Sequence, residues 1–223
     1  MPKSKTVVGK YVFLDIVSYS YGRTVEAQSD VIDAINKIVK ESLQSLKIEE
    51  KNRILIPTGD GICIALLDIT NPFDIHVQLA LKILELLNKY NKNQKDSMRQ
   101  FKVRIGINEN TDNFITDINN HRNVAGAGIT EAQRIMDQAE GGNIFLGRTV
   151  YNHLCNRERY INKFKGYTTT VKRGVKLEVY QFIDPALEYL NSEISKYVTM
   201  VEAINTIKSK GRMLKSKIFS LRK

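Results

Sequence analysis

The chain has 223 residues, of which 42% are hydrophobic and 26% charged, as is usual for a globular protein that forms one α/β domain with an extension. No apolar run approaches the roughly 20 residues of a membrane span, and the N-terminal MPKSKTVVGK lacks a signal-peptide core, so we expect no transmembrane segment. The net charge of +10 indicates an anionic partner, which could be nucleic acid, a membrane surface or a polyanionic small substrate.

The first predicted strand ends in a carboxylate. The segment VFLDIVSYS surrounds Asp15 with apolar, β-branched residues, which is typical of a buried strand that ends at a site. The following stretch, Thr24 to Leu46, repeats apolar residues at helical spacing and predicts the first helix. We interpret its apolar stripe as core.

A second carboxylate lies in the hairpin predicted over Ile54 to Leu67. In the segment IPTGDGICIAL, Gly59 and Gly61 flank Asp60, as a tight turn requires. Strands related in this way can hold Asp15 and Asp60 side by side, where the two charges repel unless a cation lies between them. Carboxylate oxygens favour Mg²⁺ or Mn²⁺, so the pair predicts a divalent metal site. The alternative is that Asp15 caps a helix and Asp60 fills a turn.

The middle of the chain alternates helix and strand signals. Asn71-Pro72 precedes a second apolar helical stripe, and FKVRIGIN predicts a further strand. The polar segment DNFITDINNHRN, residues 112–123, is predicted to be a partly ordered loop.

The remaining elements complete the fold prediction. GAGITEAQRIMDQA predicts a glycine turn and a third helix, NIFLG a short strand, and TVYNHLCNRERY a fourth helix. KGYTTTVK and KLEVYQFI predict two strands joined around Gly174. Helices in pairs against a mostly antiparallel sheet predict an α+β architecture of the ferredoxin-like type.

A basic extension follows this domain. Apolar residues recur at helical spacing from Ala186, and we predict a helical extension over residues 184–223. From Pro185 to the end, eight basic residues oppose three glutamates, so half of the net charge lies there. No helix-turn-helix, zinc-finger or aromatic-basic RNA motif accompanies it, and we expect no nucleic-acid partner.

The cysteines indicate a reducing compartment. Cys63 lies in a predicted strand and Cys155 in a predicted helix, and their spacing matches neither a disulfide framework nor a metal-ligand motif. We therefore expect a cytoplasmic protein.

The order and spacing of four segments resemble a known family. FLDIVSYS, TGDG, VRIGIN and GAGITEAQRI followed by GGNIFLG occur in the order of a class III nucleotidyl cyclase catalytic domain. The resemblance covers residues 7–183. It implies the α+β fold already predicted, and an enzyme that forms a cyclic nucleotide from a nucleoside triphosphate.

The resemblance also implies roles for individual residues. Asp15 and Asp60 would bind two divalent cations, Mn²⁺ or Mg²⁺, with the backbone carbonyl of Ile16 as a further ligand. Three side chains would contact the phosphates or the transition state, and they are Arg104, Lys172 (or its neighbour Arg173) and Arg134. Such domains act as homodimers, in which one chain supplies the metal aspartates of a site and the other supplies its base-reading residues and its transition-state arginine.

The reaction explains why these residue types are needed. The ribose 3′-OH attacks its own α-phosphate and expels pyrophosphate, so cations that lower the hydroxyl pKa and neutralise the leaving group accelerate it. An arginine aimed at the phosphorus stabilises charge that grows only in the transition state. Because the attack is intramolecular, positioning supplies much of the remaining acceleration.

Three positions depart from the pattern of purine cyclases. Thr130 stands where the family has an asparagine one turn before Arg134, and keeps a hydroxyl but no amide. Ile56 replaces the lysine of adenylate cyclases or the glutamate of guanylate cyclases. Asn123 stands at the partner position, which is usually aspartate or cysteine. Because Ile56 can make no hydrogen bond to a base edge, the known purine-reading pairs are missing.

This pattern resembles the bacterial pyrimidine cyclases of antiphage defence. Those enzymes make cyclic UMP or cyclic CMP, which activates a downstream effector. Phe13 resembles the position from which they place an aromatic ring against the base, although it is equally interpretable as core. Asn123 could donate to O4 of uracil or accept from N4 of cytosine, because an amide does both.

Three other interpretations stay open from the sequence. The chain could be an adenylate cyclase with an atypical base pocket. It could be a catalytically inactive domain used for dimerisation or nucleotide sensing. It could also be a basic nucleic-acid-binding α+β module that uses the charged tail as its contact surface.

Overall fold

A computed structural model describes residues 5–171 and 174–198 of the chain. Within that part, one sheet carries helices on both faces. The strands are β1 (Lys5–Ile16), β2 (Arg53–Pro57), β3 (Gly61–Leu67), β4 (Val103–Thr116), β5 (Arg122–Ala125), β6 (Ile144–Gly147), β7 (Phe164–Val171) and β8 (Val175–Phe182). The helices are α1 (Val25–Ser45), α2 (Ile75–Asn93), α3 (Ala127–Met136) and α4 (Arg148–Leu154).

The sheet has the strand order β2-β3-β1-β4-β6-β8-β7, and β5 pairs with β4. The pairing of β4 with β6 is parallel, and the other described pairings are antiparallel. The predicted α+β architecture with a mostly antiparallel, ferredoxin-like sheet flanked by helices is confirmed.

The central strand β1 is buried on both faces because its side chains alternate between two cores. Val12 and Leu14 face one side, where they join a cluster with residues of α1, α2 and α4. Tyr11 and Phe13 face the other side, where α3 contributes Ala132 and other residues to a second cluster. Burial of each large apolar side chain stabilises the fold by about 1.5–3 kcal/mol. The strand that carries Asp15 is therefore held rigidly.

The hairpin between β2 and β3 places the second predicted aspartate beside the end of β1. Gly59 has a φ of 91°, and the Thr58 N–H donates to the Gly61 carbonyl at 2.9 Å, which closes the turn around Asp60. A Cβ on Gly61 would lie 2.6 Å from the Leu14 carbonyl oxygen, so β3 can approach β1 this closely only with glycine there.

The polar segment 112–123 is more ordered than the predicted loop. β4 continues to Thr116 and pairs with the start of β1, and β5 pairs back on its end. The prediction was wrong here because backbone pairing with β1 and β5 orders a polar segment that lacks an apolar pattern.

The segment after β8 also differs from its prediction. Residues 184–198 contain turns and no helix, so the helix predicted from Ala186 does not begin there. Side-chain oxygens accept backbone N–H groups in place of the carbonyls of a helix. For example, Asp184 Oδ1 accepts the Ala186 N–H at 3.3 Å. Residues 199–223 of the predicted extension lie outside the described residues, and the domain boundary near residue 183 stays a prediction.

None of the helices in the described ranges combines the length and apolarity that a bilayer crossing needs.

Candidate active site

Asp15 and Arg104 form an ion pair at the end of β1. They are direct cross-strand partners of β1 and β4, and Arg104 donates to Asp15 Oδ2 through Nε at 3.0 Å and Nη2 at 2.8 Å. Both side chains are largely buried, which makes this pair stronger than one on the surface. The arginine is therefore oriented toward the carboxylate before any ligand arrives.

The pKa of the Asp15 carboxyl is raised above its ordinary value. Burial is the largest cause, Arg104 opposes it, and the negative charges of Asp60 and Asp137 add to the rise. Because burial disfavours the ionised form of the Asp15 carboxyl, a nearby cation would stabilise that form. Such a perturbed carboxyl beside a cleft is typical of functional sites.

The structure brings the Asp60 turn to the end of β1, where Asp15 and Ile16 lie. The Ile16 N–H donates to the backbone carbonyl of Asp60 at 3.2 Å, which ties the hairpin turn to the end of β1. Asp15 Oδ1, which Arg104 does not use, faces Gly61 in the same turn.

These oxygens fit a hard divalent cation. The predicted set consists of two carboxylates and a backbone carbonyl. Within the described ranges, no group of three or more histidine, cysteine or acidic side chains could hold a metal ion. Mg²⁺ is commonly held by one or two carboxylates with the remaining positions left to substrate phosphates and water. The residues would therefore hold such an ion together with a phosphorylated substrate.

A cleft of about 270 Å³ opens beside this pair. Its walls come from the end of β1, from β4, from the turn after α3 and from the segment after β8. The lining residues are Asp15, Ile16, Val17, Ser18, Arg104, Ala139, Glu140, Gly141, Lys196 and Tyr197. The cleft combines carboxylates with cationic groups, which suits a polyanion bound through metal.

The two predicted residues of α3 do not line this cleft. Thr130 and Arg134 are one turn apart on an exposed part of the helix, and neither is among the residues around Asp15. Within one chain, Arg134 therefore does not contribute to the cleft that Asp15 and Arg104 line.

Two predicted base-reading residues are neighbours. Phe13 and Ile56 both pair in register with Cys63, one from each side, so they lie in one row across the sheet and on the same face. Phe13 is only 4% exposed and packs in the cluster with Tyr11 and Ala132. Its ring is core within one chain, while Ile56 is partly exposed at the edge of that cluster.

Asn123 is not brought to this row. Asn123 Oδ1 accepts the N–H of Val124 at 2.8 Å. Since Val124 packs in the Phe13 cluster, Asn123 points to the other face of β5. Lys172 and its alternative Arg173 lie outside the described residues.

Sequence reasoning missed Asp112, a buried carboxylate that anchors the start of α3. It accepts hydrogen bonds from Tyr11 Oη at 2.6 Å, from the Gly128 N–H at 3.1 Å and from Asn110 Nδ2 at 2.6 Å. A Cβ on Gly128 would lie 2.2 Å from the Tyr11 ring, so only glycine fits this contact. The glycines at residues 126 and 128 indicate a close backbone contact at the start of α3, but the sequence does not show which strands make that contact.

Replacing Asp112 with alanine should destabilise the fold and loosen α3. The change leaves the Tyr11 hydroxyl and the Gly128 N–H without an acceptor, at about 1–3 kcal/mol for each buried group. Urea denaturation should show the loss. The matched control is Asp117→Ala, which removes a carboxylate that accepts two N–H groups in an exposed turn, and should cost less than about 1 kcal/mol. Equal losses in the two variants would contradict the anchoring role of Asp112.

A comparison with models of protein families identifies the family of this chain. The model of the adenylate and guanylate cyclase catalytic domain matches residues 4–184. A search of curated protein sequences gave no significant match.

Solved structures share the fold at low identity. The guanylyl cyclase Cya2 is 16% identical with a TM-score of 0.63, covering 85% of this chain and 99% of its own. The guanylate cyclase domain of RhGC from Catenaria anguillulae, solved in complex with GTP, is 18% identical with a TM-score of 0.60, covering 81% and 98%. The adenylyl cyclase CyaB from P. aeruginosa is 15% identical with a TM-score of 0.58, covering 82% and 96%.

The family match over most of the chain, the shared fold and the paired aspartates beside an arginine lead to one conclusion: this chain belongs to the adenylate and guanylate cyclase catalytic domain family and carries a nucleotidyl cyclase domain.

Proposed function

We propose that the chain is an active cyclase that converts a pyrimidine nucleoside triphosphate, UTP or CTP, into its 3′,5′-cyclic monophosphate and pyrophosphate. The observation that carries the proposal is the prearranged Asp15–Arg104 pair beside the Asp60 turn, combined with an isoleucine at the base-reading position. The Asp15–Arg104 pair and the Asp60 turn would serve the phosphate chemistry, and Ile56 lacks the hydrogen bond that reads a purine.

The phosphate chemistry follows from the site. Divalent cations, Mg²⁺ or Mn²⁺, supply activation of the 3′-hydroxyl and neutralisation of the leaving pyrophosphate when bound. Asp15 and Asp60 would hold them, with the Ile16 carbonyl. Arg104, oriented by Asp15, would donate to the triphosphate, and Lys172 would add a further phosphate contact. The 3′-oxygen forms its bond to the α-phosphorus as the bond to pyrophosphate breaks.

Transition-state stabilisation would come from a second chain. Arg134 is exposed and does not line the cleft of its own chain, which is compatible with a homodimer that shares its sites. Its guanidinium would neutralise charge at the α-phosphate, and the hydroxyl of Thr130 would contact ribose or water.

The base preference rests on exclusion and on pocket shape. Ile56 offers no donor or acceptor to a base. Each polar group of a buried purine edge that is left unpaired costs about 1–3 kcal/mol, which is enough to remove a tenfold or greater preference for a purine. For the Phe13 ring, in the same row, to stack on a one-ring base, it would have to turn out of the cluster in which it packs within its own chain. Asn123 would hydrogen-bond the base from the same chain as Ile56 and Arg134.

The second candidate is a purine cyclase with an atypical pocket. The similar solved structures are described as guanylyl and adenylyl cyclases, and one is a rhodopsin-guanylyl cyclase of converted specificity in complex with ATPαS. A catalytically inactive domain for dimerisation or nucleotide sensing is a third candidate.

The biological role follows from the proposed product. A cyclic pyrimidine nucleotide would act as a second messenger in bacterial antiphage defence, made in the cytoplasm and read by a downstream effector that binds cyclic nucleotides.

A nucleotide panel tests the proposal. The purified protein is incubated separately with ATP, GTP, CTP and UTP in Mn²⁺, and cyclic product and pyrophosphate are quantified by mass spectrometry and an enzymatic assay. We expect cUMP or cCMP with equimolar pyrophosphate, and slightly more product from UTP than from CTP. Cyclic AMP as the main product would support the second candidate, and the lack of product from all four the third.

A further inference from the structure

The part of the chain beyond the family match returns to the active-site cleft. The family match ends at residue 184, and residues 184–198, which we name the C-terminal strap, continue along the end of the sheet. Two fully buried side-chain amides hold it. Asn143 Nδ2 donates to the carbonyl of Asn191 at 2.7 Å, and Gln181 Nε2 donates to that of Glu193 at 2.6 Å.

The end of the C-terminal strap is fixed on both sides of residues 196 and 197. Ser195 is fully buried, and Val198 is 2% exposed and packs with Ile135, Ala139 and Phe145. Lys196 and Tyr197 lie between these buried positions and line the cleft that holds Asp15 and Arg104. A lysine is thus held at the candidate catalytic cleft by a segment outside the family match.

The cation of Lys196 is balanced by a carboxylate of the same cleft. Its Nζ lies 3.3 Å from Glu140 Oε1, and its N–H donates to Glu140 Oε2 at 3.4 Å. The pKa of Lys196 is raised, mainly by the hydrogen bond to Glu140, so the ammonium stays charged at neutral pH.

Arg104 is already engaged on the opposite wall. It donates twice to Asp15 and lies 3.7 Å from Asp137. A triphosphate that enters the cleft would therefore meet the carboxylate of Glu140 as well as that of Asp15. Without Lys196, Glu140 would repel the incoming phosphates.

We propose that Lys196 is a triphosphate-binding residue supplied in cis by the C-terminal strap, and that Glu140 holds its ammonium at the cleft until a polyphosphate takes it over. A lysine ammonium binds phosphate oxygens as a compact point charge, and its flexible stem lets it turn from Glu140 to the ligand. The inference rests on the proposed function, because it concerns the triphosphate of the same site.

The test measures binding without turnover. Isothermal titration calorimetry with inorganic pyrophosphate in Mn²⁺ compares the wild-type protein with Lys196→Gln and Glu140→Gln. We expect Lys196→Gln to weaken the pyrophosphate affinity about tenfold, the loss of one charge-assisted hydrogen bond. Glu140→Gln should bind at least as tightly as wild type, because it removes a negative charge and releases Lys196.

Lys163→Gln is the matched control. Lys163 pairs with Asp184 at the start of the C-terminal strap, so this variant breaks a strap ion pair away from the cleft. It should keep the pyrophosphate affinity within about twofold. In turnover with UTP, Lys196→Gln should raise KM more than it lowers kcat.

Two results would overturn the inference. Unchanged pyrophosphate binding in Lys196→Gln would show that the ammonium does not contact the ligand. Equal weakening in Lys196→Gln and Glu140→Gln, with the same fall in Tm, would show that the pair only fastens the C-terminal strap. A wild-type protein that binds pyrophosphate but makes no cyclic product would contradict the proposed function and leave the comparison of Lys196→Gln with wild type intact.

Discussion

Replacing either Asp15 or Asp60 with alanine should abolish cyclase activity while the fold is retained. Each change removes a proposed metal ligand, and loss of cation binding at a phosphoryl-transfer site costs on the order of a hundredfold or more in kcat. Neither side chain is part of the two apolar clusters around β1, so no large cavity opens. Pyrophosphate release measures activity, and thermal unfolding followed by circular dichroism measures the fold.

The control for these variants is Asp137→Asn. Asp137 lies 3.7 Å from Arg104 but is not a proposed ligand, so the variant removes a nearby negative charge without touching the metal set. We expect it to keep activity within about fivefold of wild type. If Asp15→Ala or Asp60→Ala kept more than about a tenth of wild-type turnover, a loss under ~1.4 kcal/mol, the metal assignment would be wrong.

Mixing two inactive variants should restore activity. A homodimer that shares its sites takes Asp60 from one chain and Arg134 from the other, so a heterodimer of Asp60→Ala and Arg134→Ala has one intact site. Random exchange of equal amounts makes half of the dimers heterodimers, which predicts recovery of roughly a quarter of wild-type activity. The measurement is pyrophosphate release after subunit exchange, with exchange followed by two fluorophores.

The matched mixture is Asp60→Ala with Asp15→Ala. Both changes lie in the same half-site, so every heterodimer has two damaged sites and no recovery is expected. Absence of recovery in the first mixture, despite proven exchange, would contradict the shared-site arrangement.

Local patterns predicted the elements that carry the candidate site. The apolar, β-branched run around Asp15 predicts a buried strand, and the glycines around Asp60 predict a tight hairpin, because both depend on short-range backbone preferences. The structure places the two segments side by side, as those patterns predicted. The catalytic and binding roles themselves remain predictions.

Long-range contacts were not readable from the same patterns. Asp112 is buried because Tyr11, about a hundred residues away along the chain, donates to it, and no periodicity in either segment records that pairing. The irregular path of the C-terminal strap depends on Asn143 and Gln181 in the same way. The apolar spacing after Ala186 predicted a helix, whereas side-chain and backbone hydrogen bonds hold the described part in turns.

The central claim is that this cyclase domain selects a pyrimidine base. It is tested most directly by one competition reaction, in which the wild-type protein is given ATP, GTP, CTP and UTP at equal concentration with Mn²⁺ and the four cyclic products are quantified by mass spectrometry. We predict that cUMP and cCMP together exceed the cyclic purine nucleotides by at least about tenfold, since Ile56 leaves a purine edge unpaired. Cyclic AMP or cyclic GMP in amounts equal to the pyrimidine products would contradict the claim.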